Sequence, residues 1–433
     1  MRNFLIGVLV FWMVVVGLII KDEGRQAAKP GAAVDSSRVE VVFWHAMGGP
    51  LGAVIEPLIK EFNDSQTTYS IKSVNMGSYD TLQKKLLASL VAKEAPDLSQ
   101  NYESLTKKFI KHRKIICLDD LLASETEDIK ADIIPVLLEN NLYDGKLWSF
   151  PFNKSVPVLY YNKDLFKKAG LDPEIPPRTL DELASFARKL TVRDADGKIL
   201  VRGFATGKAN VWMFLNRVLQ MGGKVIGPDG GAAFFDQPEA ARALSFLQDM
   251  LREGIAEEAQ GFEHQNNFKA ETAAMIENSI VTKVFMEPGI KFNLGIAPLP
   301  GQATNAVILS GSNINIFNNG DPRKIQGAWE FVKWFTSTEN GARWSLGTTY
   351  MPVRKSSLKC PLFLAAMEKD PNLRAPYIQL EYSHFEPRLT CWFEIRDLIA
   401  DYLERATLEM GPPETYFSKM NKEINGILSH ALD

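Results

Sequence analysis

Cysteine is scarce in this 433-residue chain, with only Cys117, Cys360 and Cys391. Three thiols close at most one bridge, so a disulfide framework is excluded, and spacing leaves open whether Cys360 and Cys391 meet. Histidine is nearly as sparse. His45, His112, His264, His384 and His430 are scattered and form no HExxH or CxxC-type cluster, so neither a resident metal nor a cofactor is expected. Charge of either sign is in little excess: a formal net charge of -3 gives no electrostatic case for nucleic acid.

Long apolar runs are also rare, and the one at the start is informative. Phe4 to Ile20 carries no charge and follows Arg2. Its length lies between a signal-peptide core and a short transmembrane helix. Lys21-Asp22-Glu23 follows directly, and the first small-residue sites, around Ala27-Ala28 or Ala32-Ala33, lie further out than cleavage usually needs. No cysteine follows the run, which excludes a lipoprotein anchor. An uncleaved membrane tether through residues 4–20 is expected ahead of late cleavage. Either outcome exports the remainder, because the positive flank is on the short side. Residues 21–37, rich in Ala and Gly, read as a linker.

What remains is long for one core and suits two lobes. Its most informative stretch is PFNKSVPVLYYNKDLFKKAGLDPEIPPRTLDELASFARKL, Pro151 to Leu190. Val156 to Tyr161 has the length and composition of a buried strand. Asn162 and Asp164 offer caps for a short helix that Gly170 ends. Pro173, Pro176 and Pro177 force an extended crossover, and Thr179 with Glu182 forms a capping box for an amphipathic helix. Upstream, Val39 to Trp44 is a strand, a helix runs from about Leu51 to Asn63, and Tyr69 to Val74 is the next strand. This βαβ start suits an open α/β sheet with its ligand crevice at the carboxyl edge. Trp44 and His45 at that edge suit either packing or cleft lining.

The order of these pieces resembles the family of extracytoplasmic solute-binding receptors of ABC importers (family 1). In that family an x-P-x-LYYNKDLFKKAGL strand leaves the first lobe and founds the second. The element PFNKSVPVLYYNKD is similar to the branch of the family that binds glycerol-3-phosphate and glycerophosphodiesters. The likeness recurs in FWHAM (residues 43–47), Gly77-Ser78-Tyr79, FKAETAAM (268–275) and WSLGTTYMP (344–352), and so runs from about Val39 to the C-terminus. It departs from the family pattern at Glu271 and Thr349, where glycine is usual.

The resemblance implies an α/β chain with the two-lobe periplasmic-binding-protein fold (type II) and a hinged ligand cleft. The first lobe would take 39–151 and 292–337, and the second 152–291 and 338–433, after a signal or anchor and linker at 1–38. The ligand would be a small phosphorylated glycerol and the partners ABC permease subunits, at the outer face of the cytoplasmic membrane. Tyr79 and Glu103 would fix glycerol hydroxyls, a task suited to a phenol and a carboxylate. Ser155, Ser279 and Tyr350 would reach in from the hinge or the other lobe. Gly311, within Ser310-Gly311-Ser312, would offer a backbone N–H. Arg396 would bind phosphate oxygens with its planar fork, and Lys154 would add positive charge at the cleft mouth. Leu180 stands where the glycerol-3-phosphate branch has a cleft tryptophan. That exchange would make room for a diester such as glycerophosphocholine, with Trp212 or Trp44 facing the choline cation.

Three other functions compete. A sugar or oligosaccharide receptor would use stacked aromatics and acidic acceptors without an arginine-centred anion site. A secreted phosphodiesterase would need a metal cluster or paired histidines. A tethered sensor would need a signalling domain, and none follows.

Overall fold

The structure, a computed structural model, describes residues 38–432. The apolar run and linker read from the sequence lie outside those residues. Among the described residues no helix is long and apolar enough to cross a membrane, and Cys117, Cys360 and Cys391 are all free thiols.

Among the described residues the chain builds two large sheets and two short two-stranded ones. In the first, β1 (Val39–His45) runs parallel to both β2 (Tyr69–Asn75) and β3 (Leu98–Asn101), with Val39 opposite Tyr69 and Phe43 opposite Leu98. Parallel neighbours need a crossover, and α1 (Gly49–Ser65) and α2 (Tyr79–Ala92) supply it. The alternation of buried and exposed residues along β1 inserts Val41 and Phe43 into the core beneath α1. β4 (Phe150–Ser155) and the long β10 (Val307–Ile316) complete this sheet as an antiparallel pair, with Ser383–Phe385 at its edge. The second sheet holds β5 (Pro157–Asn162) between β8 (Met275–Ser279) and β9 (Leu294–Pro298), and β6 (Phe204–Gly207) and β7 (Ala256–Ala259) extend it.

Val156 alone separates β4 from β5, so the chain passes from one sheet to the other without a loop. Every residue from Phe150 to Asn162 is buried. The expected strand is therefore present; Asn162 and Thr179 cap the helices after it as read, whereas Asp164 lies within the first turn and accepts from Asn293. Asn162 Oδ1 accepts from the backbone N–H groups of Asp164 and Leu165, and Thr179 Oγ1 accepts from Glu182 N at 3.1 Å. A second passage leads from β9 to β10. The segment 294–298, grouped with the first lobe by the sequence reading, pairs with β5 in the second sheet. Helix Thr338–Thr348, grouped with the second, packs on α1 of the first. The C-terminal helices Trp392–Glu409 and Pro413–Leu432 pack against helices Val211–Gln220 and Pro238–Arg252 of the second lobe.

The largest core joins the two sheets, with Val41 and Phe43 of the first in one cluster with Val158, Tyr160 and Ile276 of the second. Beneath the second sheet, Leu159, Tyr161, Phe166, Leu183 and Phe204 pack together, and Leu180 joins them, 3% exposed. Leu180 is the first residue of helix Leu180–Leu190, and its N–H donates to Gly301 O at 2.8 Å. That placement turns its side chain onto the sheet, among the residues which make this face of the helix apolar. The expected vacancy beside the ligand is absent at this position. Leu180→Trp should overpack the core and cost about 1–3 kcal/mol, read by urea denaturation, and leave ligand preference unchanged.

Candidate ligand-binding cleft

A cavity of about 500 Å³ lies between the two sheets. Tyr79, Ser155, Ser279, Gly311 and Tyr350, five of the eight residues nominated from sequence, line it together. They reach one place from separate elements: the start of α2, the end of β4, the end of β8, the middle of β10 and the turn after helix Thr338–Thr348. Gly311 is fixed by geometry as well as position. Its φ is +109°, and a Cβ there would stand 1.8 Å from Asn153 O on β4, so only glycine lets β10 approach so closely.

The cavity floor is a buried network of uncharged groups whose polarity one backbone N–H decides. Ala46 N donates to Gln100 Oε1 at 2.9 Å, which leaves the Gln100 amide nitrogen as donor to Tyr79 Oη at 3.0 Å and Asn153 Oδ1 at 3.2 Å. Asn153 Oδ1 also accepts from Ser312 N at 3.2 Å, and Asn153 Nδ2 donates to Tyr79 Oη at 2.6 Å. Tyr79 oxygen thus receives two N–H groups, so its own proton points to Tyr350 Oη, 3.3 Å away. Burial raises the pKa of Tyr79, with its hydrogen-bond contacts to Tyr350, Asn153 and Gln100 partly opposing it, and burial carries Tyr102 and Tyr350 well above 10.0. All three phenols are neutral at physiological pH. Gln100 and Asn153 were not nominated from sequence because isolated amides carry no motif, and Ser312 was named only as the flank of Gly311.

Tyr102 and Trp212 add aromatic walls. Tyr79 and Tyr102 ring centroids are 5.2 Å apart, and Trp212 Nε1 donates to Ile308 O at 3.0 Å, which leaves its ring face on the cavity. Phe285 and the helix α6 (Glu263–Lys269) close another side. Phe262, Gln265, Asn266 and Lys269 line the cavity at i, i+3, i+4 and i+7, one face of that helix. The sequence held this signal in FEHQNNFK, but the match to FKAETAAM drew attention to the strand that follows. Trp44 and His45, by contrast, pack. His45 is buried with Nε2 2.7 Å from Ser73 Oγ, and burial lowers its pKa to about 4 despite Glu56 nearby.

Glu103 and Arg396 do not line the cavity, and each is met by an opposite charge. Glu103 Oε1 accepts from Lys154 Nζ at 2.7 Å and from Asn313 Nδ2 at 3.1 Å. Lys154 is 1% exposed, so it is the buried counter-ion of Glu103 and not a charge at the cleft mouth. Arg396 is ion-paired with Glu386, whose other oxygen accepts from Trp392 Nε1 at 2.6 Å. It lies close enough to act electrostatically on Tyr102, which is on the wall. Where the family pattern has glycine, Glu271 and Thr349 keep a positive φ of 60° and 57°. The turns survive the exchange, and Thr349 Oγ1 donates to Ile280 O at 3.0 Å.

The chain belongs to the bacterial extracellular solute-binding proteins: that family's model matches residues 57–375. It is a solute-binding protein of the ABC-importer class, working outside the cytoplasmic membrane, and not an enzyme. The sn-glycerol-3-phosphate-binding periplasmic protein UgpB of Escherichia coli K12 is 29% identical over 348 residues, 77% of this chain and 78% of that protein. Its Salmonella typhimurium counterpart is 30% identical over 349 residues, with the same coverage of both chains. Among solved structures, UgpB from Mycobacterium tuberculosis in complex with glycerophosphocholine superposes with a TM-score of 0.81 at 23% identity, over 91% of this chain and 99% of that one. The cyclic alpha-maltosyl-1,6-maltose binding protein of Arthrobacter globiformis gives 0.78 at 24%, over 91% and 100%. These likenesses show the two-lobe fold.

The buried Lys154–Glu103 pair has measurable consequences. Burial pushes the Glu103 carboxyl up, but the Lys154 ammonium and hydrogen bonds outweigh it, and the net shift is downward from 4.5. A depressed carboxylate stabilises the fold above its ordinary pKa, and that stability is lost as pH falls through the lower folded value. Lys154→Met should cost about 3–5 kcal/mol near neutral pH by stranding the carboxylate, and the deficit should narrow as pH falls, because a carboxyl that burial pushes up takes its proton more readily in the fold than in the unfolded chain. Adding Glu103→Gln should recover most of the loss. Denaturation of the single and double variants across pH checks both statements.

Proposed function

We propose that this protein captures glycerol-3-phosphate or a glycerophosphodiester, such as glycerophosphocholine, and delivers it to ABC permease subunits. The observation that carries the reading is the convergence of Tyr79, Ser155, Ser279, Gly311 and Tyr350 on one cavity. These are the positions that the resemblance to the glycerol-phosphate branch nominated. The chemistry is compatible. Neutral hydroxyls and a phenol pair with a fixed proton direction suit glycerol hydroxyls and phosphate oxygens, while the Trp212 and Tyr102 faces suit a choline cation, at about 0.5–2 kcal/mol. The hinge would lie at Val156 and in the passage between β9 and β10, where the chain changes sheet.

A sugar ligand is the second reading, favoured by the same aromatic walls and by the engagement of Arg396 with Glu386. Calorimetric titration with glycerophosphocholine, glycerol-3-phosphate and maltotriose separates the two. Saturable binding of a phosphate ester, unaltered after incubation, is expected. Binding of maltotriose alone would put the protein among sugar receptors.

We further propose that residues 4–20 hold the protein at the outer face of the membrane, on the strength of the charged flank at Lys21-Asp22-Glu23. Membrane fractionation with N-terminal sequencing should recover an intact amino terminus in the membrane pellet. A soluble form beginning near Val34 would refute the tether.

A further inference from the structure

The charges around the cleft do not balance. The three ionic residues that the sequence nominated are all neutralised away from the cavity, Glu103 and Lys154 by each other and Arg396 by Glu386. Among the described residues lining the cavity there is no carboxylate and one charged side chain, Lys269. Its ammonium makes no ion pair among the described residues, unlike the neighbouring Lys283, which meets Glu287 and Asp370. Lys269 ends the cavity-lining face of α6, one turn beyond Gln265 and Asn266, so two amides stand beside it on the same wall. Its aliphatic stem lies along Gly289, where a Cβ would come within 3.1 Å of Lys269 Cδ. A side chain at that point would press on the stem by a few tenths of an ångström.

We propose that Lys269 is the counter-charge of the ligand, pairing with the phosphate of a monoanionic phosphodiester while Gln265 and Asn266 donate amide hydrogens beside it. The proposal rests on the phosphate-ester reading above and assigns its charge recognition to α6. An ammonium facing a cavity from which water is displaced on binding must find an anion or stay solvated, and a neutral sugar offers it only weak acceptors. One uncompensated positive charge matches the single negative charge of a diester. A phosphomonoester carries about -1.5 to -2 at pH 7 and would bring charge that no second free cation on this wall meets. The same count separates this site from an anion pocket built around an arginine fork. Selectivity then follows from charge number and not from pocket width.

The test is calorimetry on the full chain with glycerophosphocholine, glycerol-3-phosphate and maltotriose, for the wild type and for Lys269→Met, Lys269→Arg and Lys269→Glu. Lys269 is part-exposed on a helix face, and thermal melts confirm that each variant folds. Glycerophosphocholine affinity should fall about ten- to a hundredfold in Lys269→Met, the loss of one charge-assisted contact. It should fall further in Lys269→Glu and stay within a few-fold in Lys269→Arg. Added salt should weaken the wild type and leave Lys269→Met nearly unaffected, a readout that a merely structural lysine would not move. Wild type should also prefer the diester to glycerol-3-phosphate. If Lys269→Met binds glycerophosphocholine as tightly as wild type, the assignment of Lys269 is overturned and the phosphate-ester reading stands. If wild type binds maltotriose and neither phosphate ester, that reading fails and this one with it.

Discussion

A single extended strand with no exposed residue holds this molecule together. From Phe150 to Asn162 the backbone hydrogen-bonds first to β10 in one sheet and then, after Val156, to β8 and β9 in the other. Buried peptide groups must be paired, so the strand cannot leave either ladder without exposing unpaired donors to an apolar interior. The consequence is local precision. Ser155 and Asn153 are held by the first ladder, Ser279 by the second, and the cavity forms where the two sheets part. Gly311 belongs to the same constraint, because the strand it faces passes too close for any side chain.

Around that strand the protein keeps its formal charges, Lys269 apart, behind the wall and its neutral donors on it. Ionising a buried group without a partner is costly, and the structure answers by giving Glu103 and Arg396 their own counter-ions. The phenols of Tyr79, Tyr102 and Tyr350, their pKa values raised by burial, stay protonated and directional. The direction comes from one peptide N–H at Ala46, relayed through Gln100 and Asn153. Such a floor is pre-ordered before any ligand arrives, which lowers the entropic cost of binding.

Much of the fold was legible because it rests on local rules. The crossover strand, the Asn162 and Thr179 caps and the βαβ start follow from composition and spacing within about 40 residues. The two-lobe architecture came from the order of motifs. Five of the residues that line the cavity were legible because they sit in short recurrent patterns. The failures share a different cause. Lys154 and Glu103 lie 51 residues apart in sequence, and nothing local shows that one neutralises the other. Glu386 is only ten residues from Arg396, but it belongs to the loop before the helix, so helical spacing does not reveal the pair. Leu180 was read by alignment with a cleft tryptophan, whereas its own amphipathic pattern already put it on the buried face. The sheet assignment of 294–298 needed strand pairing, which sequence patterns do not encode.

Helix α6 and its N-cap Phe262 bear four cavity-lining side chains within eight residues, yet their backbone belongs to neither sheet. The floor beneath the cavity, in contrast, is tied into strand ladders and a shared hydrogen-bond relay, where one exchange disturbs several partners. The molecule therefore separates a wall that is tied into the strands from one that is not. Substitutions at Phe262, Gln265, Asn266 and Lys269 are free of ladder constraints, so the chemistry of the cavity can be altered on one helical face without disturbing either sheet. A designer seeking a biosensor for a new metabolite would begin there and leave the strands untouched.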